Sequence, residues 1–225
     1  GDAVKIKNYR ENRKALSGDL MVLAIQSAIG VNEVNAALGA ICATPTAGAS
    51  GTIPGVLFSI KDTLQLSHED MIHFLFTSAL FGTIVANNAC ISGAYGGCQA
   101  EVGSASAMAA AAAVEAAGGT PQQSSEAFSI ALQNLLGLVC DPVAGLVEIP
   151  CVKRNAIGTA NALAAADIAL AGVNNLINAD EVIEAMYRVG RQMPRELRET
   201  GLGGIAATPT GIAIKNKIFG EKQSN

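Results

Sequence analysis

Residues 99–117 read QAEVGSASAMAAAAAVEAA, and this stretch gives the strongest indication of the fold class. Alanine has the lowest free-energy cost of any residue in an α-helix, so the composition predicts a helix from about Gln99 to Ala117. Gly118 and Gly119 follow directly, as is typical of a helix end. Because the side chains are small, we expect this helix to pack closely against other helices.

The composition of the whole chain points the same way. Of the 225 residues 50% are apolar, 15% are charged and 4% are aromatic, and there is no Trp, so the core must consist of Ala, Leu, Ile and Val. This length suits one large domain. No segment shows the convincing alternation of apolar and polar residues that a strand requires. The sequence therefore predicts a mainly α fold: a helical domain of buried, alanine-rich helices with cluster- and substrate-binding loops at one end.

Two further helices have recognisable first residues. Ser67-His68-Glu69-Asp70 resembles a capping box and predicts a helix that runs to about Val85. Thr120-Pro121 has the pattern of an N-cap followed by proline, and predicts a helix that runs to about Val139 and brings Cys140 to its carboxyl end.

The distribution of charge divides the chain into three parts. Residues 1–16 are a charged lead-in segment, residues 17–214 form the main domain, and residues 215–225 are a polar tail that we expect to fray.

Charge and hydropathy exclude several classes of partner. A net charge of −4 gives no electrostatic reason to expect a nucleic acid or an anionic membrane. The longest apolar runs, Phe74–Ala86 and Ser104–Ala117, are shorter than the roughly 20 residues that span a bilayer, which predicts a soluble protein. Five cysteines without a visible signal peptide favour a reducing compartment, so we expect a cytoplasmic protein.

Three cysteines lie in segments that cannot form continuous helices. Cys140 and Cys151 flank a segment with two prolines and a glycine, and Cys98 ends the glycine-rich run that begins at Gly93. Proline removes a backbone donor and clashes with the preceding turn, so the segment between Cys140 and Cys151 must be a loop. Loops that carry three soft ligands can hold a thiolate-bound metal and leave one coordination position open. The remaining cysteines, Cys42 and Cys90, lie in apolar stretches and are predicted to be core thiols.

A second loop has the composition of an anion site. Residues 44–55 read TPTAGASGTIPG, in which small, hydroxyl-bearing residues interrupt the helical pattern. A loop of this kind that enters a helix exposes backbone N–H groups to a carboxylate or phosphate. It is neither a P-loop nor a dinucleotide fingerprint. The candidate binding residues are Thr46, Ala47, Gly48, Ser50 and Gly51.

Six segments of the chain carry a resemblance to a known family, namely Ala43–Gly48, Ile91–Ala94, Gly97–Ser104, Cys140–Glu148, Pro150–Asn155 and Gly203–Gly211. In this order they are similar to the catalytic α domain of the iron–sulfur-dependent bacterial L-serine dehydratases, over about Ala15 to Gly211. Tyr95 departs from the acidic residue expected in many relatives, which affects only local loop contacts.

The resemblance implies a lyase that deaminates L-serine to pyruvate and ammonia, in amino-acid degradation and gluconeogenesis. It implies that Cys98, Cys140 and Cys151 hold a [4Fe–4S] cluster and that the open iron of this cluster acts as a Lewis acid. It also supports the hypothesis that the substrate carboxylate binds to the loop Thr46–Gly51. It also implies a β chain or β domain as partner, in an oligomer. No general base is identified, because His68 and His73 both lie in the predicted first turns of one helix and have many structural uses.

Two other functions fit parts of the sequence. A structural domain could hold zinc on the same three cysteines without catalysis. A pyridoxal-phosphate-dependent lyase would catalyse the same net reaction and would need a Schiff-base lysine, for which Lys61 is the candidate.

Overall fold

The computed structural model describes residues 1–220, and within these residues it contains ten helices and no strand. The predicted mainly α fold is confirmed. The helices are α1 (Asp2–Asn12), α2 (Asp19–Ala36), α3 (Thr52–Ile60), α4 (His68–Asn88), α5 (Gly93–Gly96), α6 (Ser104–Ala116), α7 (Pro121–Gln133), α8 (Cys151–Leu170), α9 (Ala179–Gln192) and α10 (Pro209–Phe219).

Helix α6 lies at the centre of the molecule. Every residue from Ser104 to Val114 is buried, and the helix packs against α3, α4, α7 and α8. The approach of α4 is close: a Cβ at Gly82 of α4 would lie 2.6 Å from the Met108 methyl carbon of α6. The predicted helix at residues 99–117 is confirmed, although its first turn, Gln99–Gly103, is a π-helix.

The predicted first residues of α4 and α7 are confirmed. The Ser67 hydroxyl accepts a bond from the Asp70 N–H while the Asp70 carboxylate accepts one from the Ser67 N–H, and Thr120 and Gln123 form the same reciprocal pair. These bonds satisfy backbone donors that have no partner inside the helix. Local sequence is therefore enough to set both starting points.

The predicted end of α7 is wrong. The helix ends at Gln133 and does not run to Val139. Gly137 has a φ of +83°, which no α-helix contains, and its N–H donates to the Gln99 side chain over 2.9 Å. Cys140 consequently lies in an extended segment, where its N–H donates to the Leu197 carbonyl over 2.8 Å.

Both ends of the described chain are helical. Helix α1 covers most of the predicted lead-in segment and packs on α2, with Ala3 and Ile6 against the small cluster around Ile29. Helix α10 covers residues 215–219 of the predicted polar tail, and residues 221–225 lie outside the described residues.

One side of α4 exposes apolar side chains, and we call Ile72, Leu75, Phe76 and Leu80 the α4 face. Phe76 is 68% exposed and Leu80 is 60% exposed. Among the described residues α4 is the one helix whose length and composition match those of a membrane span, with 22% of its most apolar 18-residue window buried. Helices in the cores of globular proteins meet the same criteria, so a single match carries little weight.

An apolar groove of about 540 Å³ runs beside the α4 face, between α3, α4 and residues 40–44. Cys42 lines this groove and is exposed, so the prediction of a core thiol is wrong there. Its neighbours Ala40 and Ala43 are exposed as well. Cys90 is partly buried against the main core, as predicted.

Candidate functional site

The loops and helix ends at one side of α6 enclose a cavity of about 250 Å³. It lies between the turn at residues 46–48, the π-helical turn that precedes α6, the loop at residues 140–147 and the first residue of α8. Its lining consists of Thr46, Ala47, Gly48, Ser92, Glu101, Cys140, Pro142, Val147, Cys151 and Glu199. Two of the three predicted metal ligands and three of the five predicted substrate-binding residues therefore meet at one cavity.

Cys98 lies next to this lining. The Cys98 and Cys140 sulfurs and a Glu101 carboxylate oxygen lie within 4.8 Å of one another, and all three residues are buried. Cys98 comes directly before the π-helical turn, and Cys140 is held by its N–H bond to Leu197 and by the Glu199 N–H, which donates to its carbonyl over 2.7 Å. The structure thus brings together two thiols from segments that are distant in sequence.

Cys151 contributes the third thiol and lines the same cavity as Cys140. It is the first residue of α8, follows Pro150, and is buried. The positive end of a helix lowers the pKa of a thiol. Burial outweighs that effect here and, with the nearby Cys98 and Glu101, raises the pKa of Cys151 to about 12.

The thiols of Cys98 and Cys140 lie close together, and their pKa values move in opposite directions. The interaction with Cys98 and burial raise the pKa of Cys140, while the interaction with Cys140 lowers the pKa of Cys98. A soft metal ion would replace the thiol protons when it binds, since thiolate is the ligating form.

Asn155 of α8 ties the turn at residues 46–51 to Cys151. Its buried side-chain oxygen accepts from the Gly51 N–H over 3.1 Å and from the Thr52 hydroxyl over 3.0 Å. Its amide nitrogen donates to the Gly48 carbonyl over 2.6 Å and to the Cys151 carbonyl over 3.0 Å. One side chain thus fixes both the turn and the start of the helix that carries the third thiol.

The five predicted substrate-binding residues divide into two groups. Thr46, Ala47 and Gly48 line the cavity, and the N–H groups of Ala47 and Gly48 donate to no acceptor in the described part of the chain. Ser50 lines the apolar groove, and the Gly51 N–H is already bonded to Asn155. The free donors that a carboxylate needs are therefore those of the first group.

The loop that carries Cys140 is held by an ion pair. An Arg154 nitrogen lies 2.8 Å from an Asp141 oxygen and donates to the Val139 carbonyl over 2.7 Å. The other Asp141 oxygen accepts from the Ile205 N–H over 2.7 Å. Arg154 is thus ion-paired, while Lys153 is exposed and lines a different cleft.

The remaining sequence candidates lie away from the cavity. His68 lines the apolar groove, His73 is exposed on α4, and the Lys61 amine lies 3.9 Å from Asp62 at the surface. Tyr95 is exposed and does not line the cavity. No histidine, lysine or arginine is among the residues that line it.

Sequence reasoning missed Glu101, which is 92% buried, since 8% of its surface is exposed. Its carboxylate accepts from the Thr46 hydroxyl over 2.7 Å, and burial raises its pKa. A signal was present, because Glu101 is the one charged residue in the run from Gln99 to Val114.

The fold and this cavity define a class: a helical protein with a buried, thiol-lined cavity suited to a soft metal. The family model of the serine dehydratase alpha chain matches residues 1–206. The chain therefore belongs to the serine dehydratase alpha chain family.

Named relatives agree with this assignment. A protein of Bacillus subtilis named "Probable L-serine dehydratase, alpha chain" is 64% identical over 220 residues, which cover 98% of this chain and 73% of the relative. One of the same name from Latilactobacillus sakei is 66% identical over 206 residues, 92% of this chain and 99% of the relative. The L-serine dehydratase alpha chain of Peptoniphilus asaccharolyticus is 47% identical over 221 residues, 98% of this chain and 76% of the relative.

Proposed function

We propose that this chain is the catalytic α chain of an L-serine dehydratase, an ammonia-lyase that converts L-serine to pyruvate and ammonia in amino-acid degradation and gluconeogenesis. The observation that supports it most is the convergence of three buried thiols and a turn with free N–H donors at one cavity. The family membership and the names of the relatives support the same reaction.

Cys98, Cys140 and Cys151 would hold a [4Fe–4S] cluster. The donor set fits this group, because the soft sulfurs of Cys140 and Cys151 lie at the cavity and the Cys98 sulfur lies within 4.8 Å of the Cys140 sulfur. When bound, a cluster with three protein ligands supplies one iron with an open position, which acts as a Lewis acid toward the substrate hydroxyl.

The residues of this chain would bind and orient the substrate. The N–H groups of Ala47 and Gly48 would receive its carboxylate, and Asn155 would keep the turn in position. Loss of the Cα proton and of the β-hydroxyl as water leaves aminoacrylate, whose imine tautomer hydrolyses to pyruvate and ammonia.

The general base would come from a β chain. No histidine or lysine is among the lining residues, and the relatives carry the name alpha chain. We therefore propose that the active enzyme contains α and β chains in an oligomer in the cytoplasm, without nucleic acid or membrane. An exposed apolar surface such as the α4 face is typical of proteins that associate with others.

A zinc site without catalysis is the second candidate. The group of Cys98, Glu101 and Cys140 within 4.8 Å favours it, since zinc binds both thiolate and carboxylate. For the pyridoxal-phosphate lyase, Lys61 lies at the surface beside Asp62 and not in the cavity, so no observation favours that function.

The test is anaerobic reconstitution with iron and sulfide, followed by iron and sulfide analysis and a pyruvate assay with and without the β chain. We expect the wild type and Cys42→Ala, the exposed-thiol control, to bind iron and sulfide, and Cys140→Ala to lose both. We expect pyruvate only with the β chain. Zinc without iron or sulfide would favour the structural site, and a bound cluster without pyruvate under any condition would contradict the reaction.

A further inference from the structure

We propose that Glu101 binds the α-ammonium group of the substrate and thereby selects amino acids over hydroxy acids. This inference rests on the proposed function, which supplies an amino-acid substrate, and it adds a recognition residue to it.

The cavity is shaped around the Glu101 carboxylate. One oxygen accepts from the Thr46 hydroxyl over 2.7 Å, and the other lies 3.8 Å from the Cys140 sulfur. A Cβ at Gly93 would lie 2.6 Å from the second oxygen, and one at Gly48 would lie 3.3 Å from the first. Glycine at both positions leaves the space that the carboxylate occupies.

The carboxylate has no cationic partner in the described part of the chain. The cavity is lined by Glu101 and Glu199 and by no basic side chain, while the neighbouring Arg154 is paired with Asp141. A buried carboxylate is costly unless it is paired and hydrogen-bonded. The cavity is therefore electrostatically suited to a cation.

The ammonium group of an amino acid carries three N–H donors and a positive charge, so it would supply the cationic partner that the Glu101 carboxylate lacks.

The position of Glu101 also matches the geometry of an α-amino acid. Thr46, which donates to Glu101, directly precedes Ala47 and Gly48 in the same turn, and the free N–H groups of Ala47 and Gly48 suit a carboxylate. The ammonium and carboxylate groups of an amino acid are attached to the same carbon. Such a substrate requires two adjacent subsites, one that binds its ammonium group and one that binds its carboxylate.

The test compares L-alanine and L-lactate, two nonreacting ligands that differ only in having an ammonium or a hydroxyl group on the α-carbon. Their binding to the reconstituted enzyme with its β chain is measured by calorimetry. We expect Glu101→Gln to weaken the binding of L-alanine by about 10- to 100-fold, because a hydrogen bond to a charged group is lost. The affinity for L-lactate should not change. Glu115→Gln, an exposed glutamate on α6, is the matched control and should alter neither.

Two further variants separate recognition from structure. Glu101→Asp keeps the charge and should retain part of the preference for L-alanine. Thr46→Val removes the hydroxyl that orients the carboxylate and should weaken L-alanine by about 3- to 10-fold without affecting L-lactate, in the range of one neutral hydrogen bond.

Equal weakening of both ligands by Glu101→Gln, or of neither, would overturn the inference. Loss of iron and sulfide from this variant alone would also overturn it, in favour of a ligand role. If the wild type forms pyruvate and Glu101→Gln keeps the wild-type preference for L-alanine over L-lactate, the inference is contradicted and the proposed function is not. Tight L-alanine binding by a wild type that forms no pyruvate would contradict the proposed function and leave the inference standing.

Discussion

The cavity and the α4 face lie on elements that both pack against α6, yet their side chains are arranged in opposite ways. At the cavity, buried polar groups are joined by specific bonds, as Asn155 joins the turn at Gly48 to Cys151. At the α4 face, apolar side chains such as Phe76 lie in solvent. The cavity thus depends on individual hydrogen bonds, whereas the α4 face adds little to the stability of this chain.

Asn155→Ala should give the largest effect. It leaves the Gly51 N–H, the Thr52 hydroxyl and the Gly48 carbonyl without their partner, and we expect a loss of about 3–5 kcal/mol in the free energy of unfolding. Denaturant unfolding measures this. Asn88→Ala, at the exposed end of α4, is the control and should change it by less than about 0.5 kcal/mol. A loss below about 1 kcal/mol at Asn155 would remove the contrast with the α4 face.

The two phenylalanines Phe74 and Phe76 of α4 compare a core position with the α4 face directly. Phe74 is 1% exposed and Phe76 is 68% exposed. We expect Phe74→Ala to lower the free energy of unfolding by about 3–4 kcal/mol and Phe76→Ala to change it by less than about 0.5 kcal/mol. Similar losses in thermal unfolding would show that the α4 face packs within this chain.

Gly204→Ala tests how closely the carboxyl-terminal segment approaches the Cys140 loop. Gly204 has a φ of +58°, and a Cβ there would lie 2.1 Å from an Asp141 carboxylate oxygen. We expect a loss of about 2–3 kcal/mol, from a left-handed residue and a steric clash together. Gly118→Ala is the control, because its φ is +80° and no atom lies within 4 Å of its Cβ position. Equal losses would mean that the clash relaxes freely.

The capping box of α4 should give the smallest effect, and it depends on pH. Hydrogen bonds from Ser67 hold the pKa of Asp70 below its ordinary value of 3.8. The ionised Asp70 carboxylate therefore stabilises the folded state at pH values above 3.8, and this stabilisation is lost as the pH falls through the folded-state pKa. We expect Asp70→Asn to lower the Tm at about pH 7 and to have less effect at about pH 2.

The matched control for this pH dependence is Glu69→Gln, whose side chain makes no hydrogen bond in the described structure. The effect of Glu69→Gln on the Tm should be the same at about pH 7 and at about pH 2. A destabilisation by Asp70→Asn that stayed constant down to about pH 2 would contradict the role of the carboxylate charge.

Sequence was sufficient wherever the determining interaction is local. The caps at Ser67 and Thr120, the alanine-rich central helix and the loop between Cys140 and Cys151 all follow from residues within a few positions of one another. Sequence failed where distant residues decide. The apolar run at residues 134–139 resembles a continued helix, but Gln99 binds Gly137 and ends that pattern.

The site shows the same division. The residue types and the family resemblance singled out three cysteines and a turn, and the structure places Cys98, Cys140, Cys151 and Thr46–Gly48 at or beside one cavity. The roles of Glu101 and Asn155 could not be predicted, because each depends on partners from other elements. Cys42 shows the converse error, since apolar sequence neighbours do not guarantee that a helix covers them.

The pairing of Cys140 with Leu197 and Glu199, and of Asp141 with Ile205, has a consequence for biosynthesis. Protein is made from the amino end, so all three thiols leave the ribosome before the segment that holds one of them in place. The cavity can therefore be completed only after residues 197–205 have been made and have packed against the loop that carries Cys140.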